Sequence, residues 1–127
     1  MPEKILYEYA VVRVVPNVER EEFINTGVIL FSKKNNFLKV TCKINEEKLE
    51  LFSNDTDVEQ LKINLFAFEK VCKGTKDGGP IAKMDHASRF RWLTATRSAS
   101  IQTSSPHSGL SDNLDKTLER LYAELVL

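Results

Sequence analysis

The chain has 127 residues and a mass of 14.5 kDa, room for one hydrophobic core and not for two. Apolar residues make up 42% and charged residues 28%, which excludes extended disorder, and no apolar run approaches the roughly 18 residues of a membrane span. Eighteen basic side chains offset eighteen acidic ones, so no net field draws the chain to nucleic acid or to an anionic membrane.

The first 44 residues read as strands. Leu6 to Val15 is rich in Tyr, Val and Ala, and Pro16, which cannot donate to a ladder, is expected to end it. Asn17 to Glu22 reads as a polar connection. Asn25-Thr26-Gly27 reads as a turn at the entry to a second strand, Gly27 to Ser32, apolar on both faces as a covered central strand should be. Lys33 to Asn36 is a turn. Phe37 to Ile44 alternates cleanly: Leu38, Val40, Cys42 and Ile44 point one way, and Lys39, Thr41 and Lys43 the other. Three strands joined by short links predict an antiparallel meander.

Helices follow. Asn45 is the expected cap of a short helix, Glu46 to Phe52. Asn54 to Asp57 offers caps for a longer one, Val58 to Lys73, with Val58, Leu61, Leu65, Phe68 and Cys72 at spacings of three and four and Gly74 as its stop. Residues 76–79 read as a loop. Pro80 suits the first turn of a third helix running to about Ala95, although its apolar periodicity is ragged. Arg97 to Thr103 reads as a fourth strand and Ser104 to Leu110 as a loop. Ser111 or Asp112 is expected to cap a last helix, whose stripe is Leu114, Leu118, Leu121, Tyr122 and Leu125. The expected fold is α+β: a single domain over 1–127, with one mainly antiparallel sheet and three to four helices packed on it.

The charge balance hides a gradient. Residues 1–44 carry seven basic and five acidic side chains, 45–72 three and seven, 73–110 six and two, and 111–127 two and four. The basic segment also holds His86, His107, Trp92 and ten hydroxyl residues. Arginine forks, hydroxyls and a glycine can together hold an anion, so Arg89, Arg97, Ser98, His107 and Gly109, joined by Arg91, are candidate anion-binding residues. Arg13 joins them because a charge inside Ala10 to Val15 needs a counter-group, water or a ligand. The competing explanation is a solvated basic surface facing the acidic helical segment. Phe90 and Trp92 are candidate interface residues, since aromatics and arginine dominate binding hot spots.

No catalytic motif is evident: the chain lacks G-x-S-x-G, H-E-x-x-H and the P-loop G-x-x-x-x-G-K-[ST]. Cys42 and Cys72, thirty residues apart without a C-x-x-C, read as buried core residues of a chain inside the cell rather than as metal ligands. Together with the absence of a leader-like N-terminus, this predicts a cytoplasmic protein. No cofactor is implied.

Two stretches together resemble a known family. One is Tyr9-Ala-Val-Val-Arg13-Val-Val-Pro16 followed by Glu22-Phe-Ile-Asn25-Thr-Gly27-Val-Ile-Leu-Phe31. The other is Arg89-Phe-Arg-Trp92-Leu-Thr-Ala95, then Arg97-Ser98, Ile101-Gln102, His107-Ser-Gly109-Leu110 and Leu118-Glu-Arg-Leu121. The combination resembles the bacterial family catalogued as domain of unknown function 3037, over nearly the whole chain. The resemblance brings no established activity and no catalytic residues. It implies an accessory or regulatory partner to HipA-like kinases. The leading expectation is therefore a non-catalytic binding or regulatory module acting with a protein partner. A pocket for a phosphate-bearing small molecule, with possible hydrolase or transfer chemistry, is the alternative. Nucleic-acid binding is third, because the neutral balance leaves few charges for phosphate neutralisation.

Overall fold

A computed structural model describes residues 4–17, 22–52, 57–95 and 99–127. Five strands build one antiparallel sheet: β1 (Ile5–Asn17), β2 (Glu22–Ser32), β3 (Phe37–Cys42), β4 (Ile101–Thr103) and β5 (His107–Ser111). The order is β3-β2-β1, with β4 and β5 side by side along the free edge of β1: β4 pairs with Val12 to Val14 and β5 with Ile5 to Tyr9. The expected meander is present, because β1, β2 and β3 pair in sequence.

Among the described residues four α-helices cover the sheet: α1 (Glu46–Phe52), α2 (Val58–Lys73), α3 (His86–Leu93) and α4 (Leu114–Leu125). Alternation along the strands decides which helix meets which face. Ala10, Val12, Ile29, Phe31 and Leu38 point to α2 and α3 and form a core with Leu65, Val71, Cys72, Phe90 and Leu93. Tyr7, Val28 and Leu30 point the other way, onto Leu114, Leu118 and Leu121 of α4. At one end Val14 and Ile24 close against Leu49 of α1 and Leu61 of α2. The result is three layers, with the antiparallel sheet between helices.

Several boundaries differ from the expectation. β1 continues past Pro16 to Asn17, where the pairing with β2 is irregular and a missing donor is tolerated. Asn25-Thr26-Gly27 lies inside β2. Val12 pairs with Gly27 and Arg13 with Asn25, so Thr26 is an extra, bulged residue whose hydroxyl donates to the Ile24 carbonyl at 3.1 Å. The helix expected from Pro80 to Ala95 is shorter. Lys76–Gly78 and Ile81–Lys83 are single 3₁₀ turns, and α3 begins only after Asp85, whose carboxylate accepts from the Ser88 N–H at 2.7 Å. Those turns are why its periodicity was ragged. The loop expected at 104–110 contains β5, and the cap of α4 is Asn113, accepting from the Lys116 N–H, rather than Ser111 or Asp112. Gly74 ends α2 as expected, in the left-handed region at φ 71°. Among the described residues no helix is long and apolar enough to cross a membrane.

Candidate functional site

α3 has only two turns, so its inward face is narrow. Arg89, Phe90 and Leu93 are buried, while Arg91 and Trp92 point outward. Phe90, expected at an interface, is fully buried and stacks on Phe31 with ring centroids 5.1 Å apart. It cannot serve as a surface anchor, because helical spacing turns it onto the sheet. Trp92, two residues on, remains 41% exposed.

Trp92 stands at a cleft of about 450 Å³ between α2, the turn at Lys76–Gly78 and the start of β4. Ala67, Phe68, Val71 and Ile101 supply its apolar lining. Its polar residues are already engaged with one another. Asn64 donates to the Ser100 hydroxyl at 2.9 Å, and Lys70 pairs with Asp77 at 2.7 Å while lying over the Phe66 ring. The Lys70 ammonium holds the Asp77 carboxyl below its usual range through a hydrogen bond, to which Thr75 adds. A cleft whose one lysine is neutralised internally suits an apolar side chain better than an anion.

The candidate anion-binding residues do not form one cluster. Arg13 lies on the α4 face of the sheet, where the bulge at Thr26 also turns Asn25 and Phe23. Its guanidinium sits 4.1 Å from the centroid of the Phe23 ring, and its buried Nε has no hydrogen-bond partner. Asn25 beside it donates to the Leu125 carbonyl of α4 at 3.0 Å. Gln102, on the other flank of Arg13, donates to the Ala99 carbonyl. His107 is exposed on the same face, four strand positions away, against the ring of Tyr9. Gly109 pairs with Tyr7, and a Cβ there would strike the Tyr7 ring, so this glycine makes room for an aromatic neighbour.

Arg89 is on the opposite side of the sheet. It is buried beneath α2, with its guanidinium against Gly74. There it faces the partial negative charge of the α2 C-terminus, which is reason enough for a buried cation. Arg13 and Arg89 therefore cannot hold one ligand. Arg97 and Ser98 lie outside the described residues, between Ala95 and Ala99.

Cys72 is buried in the core as expected, whereas Cys42 is only half-buried and packs against its rim. The Cys42 thiol donates to Glu69 at 3.3 Å, and burial, with that carboxylate, pushes its pKa upward. Burial pushes Cys72 up to about 12, against the pull of the Arg89 and Lys73 cations. Both stay protonated at neutral pH, unsuited to nucleophilic work. Among the described residues no cluster of His, Cys, Asp and Glu has the arrangement of a metal site.

Asn64, Phe68, Val71 and Ser100 were not singled out from sequence. Phe68 is legible as part of the α2 stripe. The others become a site only when β4 folds back beside α2, and no local pattern signals that.

No curated protein matches the chain, and no solved structure does. A family model described as protein of unknown function (DUF3037) matches residues 9–126, from within β1 to the end of α4. The match contains every strand segment and helix from which the cleft and the Arg13 corner are built, and by it the chain belongs to the DUF3037 family.

Proposed function

We propose that this protein is a non-catalytic binding module that acts with a protein partner through the Trp92 cleft. The observation that carries the reading is the position of the chain's single tryptophan, exposed beside a cleft lined by Phe68, Val71 and Ile101. Exposed aromatic anchors beside desolvated apolar recesses are the usual centre of a protein interface. The partner suggested by the family resemblance is a HipA-like kinase.

The test is a titration of the protein with the HipA-like kinase of the same genome, followed by Trp92 fluorescence and by calorimetry. Binding with a shifted emission is expected. Trp92→Ala should weaken it about 30-fold, the equivalent of a hot-spot loss near 2 kcal/mol. Absence of binding at high-micromolar concentration, or equal affinity for the variant, overturns the reading.

A second reading, an anion site at Arg13, is favoured by one observation: this half-buried arginine is held by an aromatic ring and leaves a buried Nε unpartnered. It predicts that inorganic phosphate or ATP raises the melting temperature and that Arg13→Gln abolishes the rise. An unchanged melting temperature in the wild type removes this reading.

A further inference from the structure

The two edges of the sheet are not alike. β3 carries Lys39, paired with Asp115 of α4 at 2.7 Å, and Lys43 follows it. Charged side chains of this kind keep an edge strand from pairing with another chain. The other edge is shared by β4 and β5. Between them, Ser104 bonds twice to Val11, through its N–H and its hydroxyl, and Pro106 follows. Proline blunts that stretch.

β5 has no such protection. His107, Ser108, Gly109, Leu110 and Ser111 include no Lys, Arg, Asp or Glu, and among the described residues β5 pairs with β1 alone. On the α3 side of the sheet Leu110 is cross-strand partner to Leu6. The two are 64% and 61% exposed, because α3 stops short of this corner. Monomers seldom leave two paired leucines at an open sheet edge without a use for them.

Lys33 and Lys34 line the β2 side of Leu6, across β1 from the open edge, and the charges flanking β5 itself are paired within the chain. Arg91 holds Glu8 at 2.6 Å on one side, and Lys4 reaches Asp112 at 4.0 Å on the other. A charged peptide would therefore find no counter-charge along this strand, whereas a neutral strand would meet no repulsion. The chain's own β5 is such a strand.

We propose that β5 is a dimerisation edge, at which a second copy of this chain adds its β5 antiparallel about Gly109. In that register each Leu110 faces Ser108 of the other copy and lies diagonal to the other Leu110, within reach of it. Leu6 and Leu110 of both copies then form one apolar row across a continuous sheet. The contact is isologous and closes at two copies, as a twofold interface must. Its small size makes association concentration-dependent.

The test is sedimentation equilibrium on the full chain over a wide concentration range. A mass twice the 14.5 kDa of the chain is expected at high concentration, falling to 14.5 kDa on dilution. Leu110→Lys and, separately, Ser108→Lys should hold the chain at 14.5 kDa throughout with unchanged circular dichroism, since both positions are exposed. Leu51→Lys, 87% exposed on α1, should still dimerise. Amide exchange along β5 should slow with concentration in the wild type. A wild type that stays monomeric at high-micromolar concentration overturns the proposal, as does a dimer that survives both lysines.

Discussion

Phe90→Ala is expected to lower the free energy of unfolding by about 3–5 kcal/mol in a urea titration, the cost of truncating a large aromatic that cannot be replaced by water. Trp92→Ala, two residues away on the same helix, should cost about 1–2 kcal/mol, because part of its ring stays in water and no enclosed cavity forms. The difference comes from helical geometry. Phe90 has no exposed surface and packs in one cluster with Ala10, Val12, Ile29 and Phe31, so its removal leaves a cavity under the centre of the sheet. Trp92 is 41% exposed and lies at the rim of an open cleft, so its loss removes part of a buried ring but leaves no enclosed cavity. For a domain whose total stability is of order 5–15 kcal/mol, the first change brings the chain close to unfolding and the second does not. Equal losses for the two variants would refute the assignment of Phe90 to the core and Trp92 to the binding surface. The pair also calibrates the kinase titration, because a Trp92→Ala protein of nearly native stability loses binding for local reasons.

Gly27→Ala is the second large effect. At this position β2 crosses β3 so closely that a methyl group would meet the Cys42 Cα at 2.8 Å and the Thr41 carbonyl oxygen at 2.5 Å. Both are backbone atoms of the paired strand and cannot rotate away. Overpacking of this kind typically costs about 1–3 kcal/mol, and a contact with backbone puts the expected loss at the upper end. The damage should be local as well as global. Amides of β3 around Cys42 should exchange faster, because relief requires β3 to separate from β2 at Gly27. The Thr26 bulge lies next to this point, so the variant should also disturb Asn25 and Phe23, which the bulge turns toward Arg13 and α4. A Gly27→Ala protein with native stability and native β3 exchange would show that the strands have room to part.

Much of the frame was legible because its signals are local. The alternation of Phe37 to Cys42 declares a strand with one wet face, and Lys39 does reach Asp115 on the α4 side while Leu38 enters the α2 core. The spacing of Leu61, Leu65, Phe68 and Cys72 and the stop at Gly74 declare α2. The stripe Leu114, Leu118 and Leu121 declares α4. The residues of the Asn25-Thr26-Gly27 segment favour a turn locally, but its partner strands hold it extended and absorb the extra residue as a bulge. β5 was invisible for the converse reason. His-Ser-Gly-Leu-Ser has little strand preference of its own and becomes a strand because Tyr7 and Tyr9 of β1 offer it a ladder and cover Gly109 and His107.

The α+β class, the meander, α2 and α4, the core place of Cys72 and the family are all readable along the chain. Each rests on a period or a cap that neighbours in the chain can express. Packing of the elements is what puts Arg13 and Arg89 on opposite faces of the sheet, makes Phe90 core while Trp92 lines a cleft, and leaves one sheet edge guarded by lysine and the β5 part of the other open. These depend on which face a strand turns to which helix. A single bulge or a helix shortened by two turns changes that, and the bulge leaves no mark in composition or spacing.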